Sequence, residues 1–369
     1  MGKCPRIGVL VGSAFHPNVE TVSINIAKLL GQNFKLEMVT NVQVSDKIKD
    51  YYKIFNYVTK PSTSMAINLF KDLINCYKYT ISEKPDLLFH IRMPNLHGLI
   101  ISVIGKTFNI PVIVRYTGEI FLHYKLTNNP YKKLKYFLLH NTLSRLSFLL
   151  ADRVIVLGSK LKKDLIAYKI NEEKIVILPQ PVDTSKFFKP HNKKAYKNEI
   201  GVNNEKVILF VGRLHFLKGC KTLLSVIKRV IARRNDILFF IIGDGPLIND
   251  FENLNPKYVR VLRNVERDKI DVYYKAADLF IFPSLLEGTP NVVLEALSCG
   301  VPVIASKAGE IPNLISNICS SEEDYVNYIL YSNFTTDQLP KEFNWEILKK
   351  KYTNLFGQLI SHSRRTKLS

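Results

Sequence analysis

Short apolar runs recur from one end of the chain to the other, each followed by a longer stretch of helical periodicity, and this alternation confines the chain to layered α/β architectures. In the first half the runs are Ile7 to Val11, Leu36 to Thr40, Leu87 to Ile91, Val112 to Tyr116, Val154 to Leu157 and Ile175 to Leu178. Helical stretches are expected near 19–30, 65–82, 97–108, 130–150 and 159–168. The pattern is that of parallel sheets covered on both faces. Pro179, Pro181 and Pro190, with the polar run HNKKAYKNE, interrupt it. It resumes through 207–211, 237–242, 259–262, 279–283 and 301–305. Two α/β domains are expected, over 1–185 and 186–342, with a C-terminal helix and tail over 343–369. The 369 residues, 46% of them hydrophobic, suffice for two cores. Two such domains facing one another leave a cleft, the usual home of a ligand in open α/β sheets.

Two glutamates eight residues apart, Glu287 and Glu295 in SLLEGTPNVVLEALSCGVPVIAS, follow the buried run that ends at Pro283. A pair of acids at this spacing is, in isolation, a solvated surface feature. Here the flanking residues form a readable helix entry. Thr289 is expected as N-cap, Pro290 at the first helical position and Gly300 just past the end. The free N–H groups around Thr289 to Val292 then lie at the mouth of a strand, where the helix dipole favours a diphosphate. Glu295 shares a helix face with Asn291, four residues earlier. Upstream, Arg213 and Lys218 in VGRLHFLKG follow a second buried run and are bracketed by Gly212 and Gly219. Cations placed there neutralise a departing diphosphate without a metal.

Residues 205 to 316, with VGRLHFLKG, IIGDGP, YYKAADLFIFPSLLEG, VVLEALSCGVPVIAS and AGEIP in that order, resemble the donor half of glycosyltransferase family 4. The resemblance implies the GT-B fold, an α/β architecture of two Rossmann-like domains facing across a cleft, and a retaining transferase that uses a nucleoside-diphosphate sugar. It implies that Arg213 and Lys218 hold the diphosphate, that Glu295 binds the ribose hydroxyls and that Glu287 lies against the donor sugar. Gly288, Thr289, Asn291 and Val292 belong to the donor-binding helix entry on the same basis. Gly243, in GDGP, borders the nucleotide, and Asn264 and Val265 meet the base. The nucleotide sugar is the donor substrate, with no cofactor and no metal expected. The acceptor is a sugar or a lipid-linked molecule. FNWEILKKKYTNLF resembles the closing helix that crosses back to the first domain in GT-B proteins.

The first half departs from the family pattern. Where the family has a Gly-Gly pair after the first strand, this chain has HPNVE at 16 to 20, with Gly12 the nearby glycine. Where the family places a histidine before a glycine, VIVRYTGEIF has Thr117 before Gly118. Thr117, Glu119, His97 and His123 are the candidates for that missing contact, and His90 ends a buried strand on the same side. Each is more often a structural or solvated residue. LPQPVDTSKFF matches the inter-domain segment, with Gln180-Pro181 in place of the usual Asn-Gly.

The five cysteines are scattered and odd in number, without metal-site spacing, which points to a reducing, cytoplasmic setting. The first residues read as a strand rather than a leader, and no apolar window reaches the length needed to span a bilayer. The net charge is +20, of which +12 falls before residue 186, from 25 basic and 13 acidic residues. A basic, aromatic and leucine-rich helix near 121–145 suits an anionic membrane surface, so a peripheral location on the inner face is expected. Nucleic acid would fit the charge equally well, but no zinc-finger, helix-turn-helix or RNA-binding signature accompanies it. IGVLVGSAFHP lacks the G-x-G-x-x-G spacing of a dehydrogenase. A sugar-nucleotide epimerase or hydrolase of the same fold remains the alternative, distinguished by consuming the donor without an acceptor.

Overall fold

The computed structural model describes residues 4–12, 17–57, 65–92, 96–118, 121, 124, 127, 129–331 and 334–366. The chain divides into two compact units, Met1–Pro181 with Trp345–Ser369, and Val182–Asn344. In the first unit the strands are β1 (Arg6–Leu10), β2 (Lys35–Val39), β3 (Lys53–Phe55), β4 (Leu87–His90), β5 (Val112–Tyr116), β6 (Arg153–Val156) and β7 (Ile175–Ile177). They form one parallel sheet in the order β3-β2-β1-β4-β5-β6-β7. The chain starts at the centre, builds outward to β3, then returns to lay β4 on the other side of β1. That reversal makes β1 and β4 the switch point, where the loops diverge and leave a crevice at the carboxyl ends of the strands.

Side chains alternate across the sheet with a period of two, and the two sets join different cores. Ile7, Val9, Leu87, Phe89, Ile113 and Ile155 pack with the helices Pro17–Leu30 and Trp345–Thr366. Leu10, Leu88, Val112, Val114, Val154 and Val156 pack with the helices Met65–Glu83, Leu96–Thr107 and Arg145–Leu150. The last helix therefore belongs to the first unit. Its Phe356 ring lies 5.2 Å from Phe89 and 6.2 Å from Phe34, and Arg364 pairs with Asp86 at 2.7 Å.

Two elements differ from the sequence expectation. The stretch 130–150 is α-helical over Pro130–Phe137, π-helical over Leu138–Ser144 and α-helical again over Arg145–Leu150. It starts at Pro130, not near 121, because Asn129 caps it, accepting the Lys132 N–H at 3.0 Å. The apolar runs do not announce strand β3, which is three residues long at the sheet edge.

The second unit holds β8 (Lys206–Val211), β9 (Ile237–Ile242), β10 (Val259–Leu262), β11 (Leu279–Phe282), β12 (Val303–Ser306) and β13 (Ile318–Cys319). Their order is β10-β9-β8-β11-β12-β13, again parallel, with its switch point between β8 and β11. The two-residue β13 is the other strand the apolar runs did not announce. Among the described residues no helix is long and apolar enough to cross a membrane. The five cysteines are unpaired.

Phe356 is fully buried among aromatic rings, so Phe356→Ala is expected to destabilise the first unit by about 3–5 kcal/mol. Urea unfolding followed by hydrogen exchange separates the units. Protection should fall in 6–177 and hold in 206–319, and an even loss across both would show that the helix does not anchor the first sheet alone.

Candidate functional site

In the second unit the expected donor residues collect at the carboxyl ends of four adjacent strands. Arg213 follows β8, Gly243 follows β9, Asn264 and Val265 follow β10, and Glu287 follows β11. The loops are stitched together by backbone bonds, from Gly212 to Ile242, Leu214 to Asp244 and Gly243 to Leu262, at 2.9 to 3.0 Å. Lys218 ends a 3-10 turn, Phe216–Lys218, and Gly219 follows with a φ of +69°. A Cβ on Gly219 would sit 1.8 Å from the Pro283 carbonyl oxygen. The loop after β8 thus lies directly on the end of β11. That contact delivers Lys218 to Glu287, Nζ to Oε1 at 2.5 Å, and Ser284 Oγ donates to the same oxygen at 2.6 Å. The ammonium also stands 5.6 Å from the centre of the Phe282 ring. Arg213 is exposed at the same strand ends.

The helix after β11 runs Asn291–Ser298, with Pro290 rather than Thr289 as its N-cap. Proline has no capping side chain, so no hydroxyl occupies the helix entry. Among the described residues, the N–H groups of Asn291 and Val292 there are unclaimed by side chain or backbone. Thr289 is instead buried, and its Oγ1 has no partner. Gly288 is buried beside it, and its carbonyl accepts the Glu310 N–H at 2.8 Å. This ties the loop bearing Glu287 to the AGEIP segment.

Glu295 is only 3% exposed and is gripped by both ends of the Arg267 guanidinium. Sequence reasoning missed Arg267, since nothing near it in the chain announces a partner 28 residues on. Burial raises the Glu295 carboxyl above its ordinary value, while Arg267 pulls it back. Arg267 also stacks over Phe187 at 5.5 Å, and its carbonyl accepts from Lys186. Asn264 adopts a φ of +52° just ahead of this group, and Val265 packs partly against the core. Among the described residues no cluster of His, Cys, Asp and Glu could hold a metal.

In the first unit Gly12, His90 and Thr117 stand at the carboxyl ends of β1, β4 and β5. Gly12 has a φ of +78°, and a Cβ there would lie 3.1 Å from His97 Nδ1. His97 in turn reaches within 3.0 Å of Asp72 Oδ2, without an aligned hydrogen bond. His90 is closed to solvent. Its Nδ1–H donates to the Arg92 carbonyl at 2.9 Å, and Nε2 is buried without a partner. Burial, with His97 and Arg92 nearby, pushes its pKa down to about 3, so the ring stays neutral. Thr117 is half-buried. Glu119 and His123 lie outside the described residues.

The Arg267 pair yields a signed pH prediction. A carboxyl whose folded pKa lies above its unfolded value keeps its proton longer when folded, so stability falls as pH rises through that interval. Arg267→Ala removes the opposing cation and widens the interval. The variant is expected to cost little at pH 4 and progressively more toward pH 7, reaching about 1–3 kcal/mol, the partial exposure of Arg267 limiting the loss. Urea titrations at several pH values check this. A gap independent of pH would mean that the pair contributes nothing through charge.

Comparison with known proteins finds relatives of both halves of the chain. A family model described as "Glycosyltransferase Family 4" matches residues 19–186, and one described as "Glycosyl transferases group 1" matches residues 205–331. The phosphatidylinositol N-acetylglucosaminyltransferase gpi3 subunit of Schizosaccharomyces pombe is 27% identical over 208 residues, covering 54% of this chain and 44% of that one. The chain thus spans about half the length of the first curated relatives it matches. The UDP-Gal:alpha-D-GlcNAc-diphosphoundecaprenol alpha-1,3-galactosyltransferase of Escherichia coli is 28% identical over 328 residues, covering 85% of this chain and 81% of that one. Among solved structures, sucrose-phosphate synthase from Thermosynechococcus elongatus superposes with a TM-score of 0.75 at 18% identity, covering 97% of this chain and all of the other. With both halves matched in order and the two parallel sheets in place, the chain belongs to glycosyltransferase family 4 and has the GT-B fold.

Proposed function

We propose that the protein transfers a sugar from a nucleoside-diphosphate sugar to a lipid-linked acceptor, with retention of configuration. The observation that carries this reading is the Lys218–Glu287–Ser284 group beside the uncapped helix entry at Asn291 and Val292. An ammonium and two free N–H groups suit a diphosphate, and a carboxylate next to them suits sugar hydroxyls. As the anomeric C–O bond breaks, its electron pair leaves with the diphosphate. Arg213, Lys218 and the helix entry take up that charge, so no metal is required. The acceptor oxygen bonds the anomeric carbon on the face the diphosphate leaves, and its proton passes to a phosphate oxygen. Glu287 orients the sugar, and Glu295 receives the ribose.

We assign acceptor recognition to the first unit. The names of both curated relatives described above contain a lipid, and the basic helix from Pro130 places Lys132, Lys133 and Lys135 on an exposed surface. These features support peripheral work at the cytoplasmic face of an anionic membrane. A thermal-shift screen of UDP-, GDP- and ADP-sugars, followed by transfer assays with and without a lipid-linked acceptor, tests the reading. Donor loss that ignores the acceptor would make the protein a hydrolase or epimerase.

Arg213→Ala and Lys218→Ala should each lower transfer by about two orders of magnitude, with activity persisting in chelator. Near-normal rates in both would remove them from the mechanism. The two glutamates should separate by role. Glu295→Ala weakens binding of nucleoside diphosphate alone, whereas Glu287→Ala spares it and depresses turnover of the sugar nucleotide. Calorimetry with the diphosphate decides, and equal losses would contradict the assignment.

A further inference from the structure

The helix Met65–Glu83 is apolar on two opposite sides. Cys76 and Tyr79 face inward and join the core beneath the sheet. Facing out, Ile67, Phe70, Ile74, Tyr77 and Ile81 recur at three- and four-residue steps. All but the half-buried Ile74 are exposed, Phe70 to 63%. A surface helix ordinarily turns charged and polar residues outward. The neighbours continue the surface. Helix Leu96–Thr107 packs beside it, and the Leu138–Leu150 stretch packs beside that in turn. All three bury their other side in the same core, so their outer sides form one layer. Leu138, Leu146 and Leu149 are exposed on the far helix.

The charge on this layer has one sign. Residues 65–83, 96–107 and 130–150 contain seven Lys or Arg and two acids, Asp72 and Glu83. Asp72 is fully buried, and Glu83 is held by Arg6. What the layer turns outward is therefore apolar side chains edged by cations. A second copy laid against it would oppose lysine with lysine, whereas an anionic bilayer satisfies both the charge and the apolar stripe.

We infer that this layer, centred on helix Met65–Glu83, is a membrane-docking surface whose apolar stripe inserts at the level of anionic lipid headgroups. The helix, about 28 Å long at 1.5 Å per residue, lies flat. The inference rests on the lipid-acceptor reading and adds to it an apolar anchor outside the basic segment. Charge alone brings the protein to the surface, and the stripe holds it there.

The test is co-sedimentation with vesicles of phosphatidylcholine, alone or mixed with phosphatidylglycerol, at 0.1 M and 1 M salt. Screening shortens from about 10 Å to about 3 Å over that range, so the charge contribution fades while insertion persists. Wild type is expected to bind the mixed vesicles and to retain part of that binding at 1 M salt. The triple variant Ile67→Ser, Phe70→Ser, Tyr77→Ser should lose the salt-resistant part, with partitioning down about tenfold or more. Its thermal unfolding should match wild type, since the side chains are exposed. Lys132, Lys133 and Lys135 changed to Glu should lose the salt-sensitive part instead. Wild-type binding that vanishes at 1 M salt, or a serine variant that binds as wild type does, overturns the inference. So does a wild-type dimer that the serine variant dissociates. Transfer to a detergent-dispersed lipid-linked acceptor tests the underlying reading separately. The serine variant should retain full activity there, and inactivity of wild type would count against the acceptor, not against the vesicle result.

Discussion

Pairing of β8 with β11, Ile208 against Leu279 and Leu209 against Phe280, sets the chemistry of the second unit. The two strands are 68 residues apart at their ends, 211 and 279, yet they run side by side and in parallel, so their following loops leave the sheet at one edge. A one-residue slip would turn each buried side chain to the opposite face, against side chains and helices already packed there. Once the register holds, Gly219 fits against Pro283 because it has no Cβ, and Lys218 meets Glu287 without further adjustment.

Both units pair buried charges, and the first also buries a charge against neutral groups. In the second, charge meets charge, as in Arg267 with Glu295 and Lys218 with Glu287. Glu287 follows the end of β11 in its loop, whereas Glu295 is buried inside the helix Asn291–Ser298. In the first, Arg6 holds the buried Glu37, and a second guanidinium is buried against neutral groups. Arg115 is fully enclosed on β5, donating to the Ile91 carbonyl at 3.1 Å and to Gln180 Oε1 at 2.6 Å. Burial disfavours its charge, but a guanidinium keeps its proton, so the carbonyl-type acceptors must offset the lost water. Gln180 is thereby explained. Where the family has Asn-Gly, this chain places a glutamine that satisfies Arg115 and a proline whose carbonyl accepts from Asn25 at 3.2 Å.

His90 and Glu295 show how burial and local partners together shift a titratable group. Both are shifted away from their charged forms by loss of water. Glu295 has the Arg267 cation within reach, which opposes the shift. His90 has a carbonyl on one nitrogen, no partner on the other and no exposure to water.

The sequence by itself determined the architecture, because strands buried on both faces are written as unbroken apolar runs and the intervening helices carry their own period. It also announced Arg213, Lys218 and Glu287 as loop residues beyond the carboxyl ends of β8 and β11. The edge strands β3 and β13 escaped notice, as two or three residues leave no periodic signal. Thr289 looked like a cap from its residue type, and packing buried it instead, leaving Pro290 at the helix entry. Tertiary structure alone decided that Arg267 would hold Glu295 and that the outer side of helix Met65–Glu83 would stay uncovered. Both depend on which elements lie side by side, and a run of apolar residues in one helix does not say which side the sheet will take.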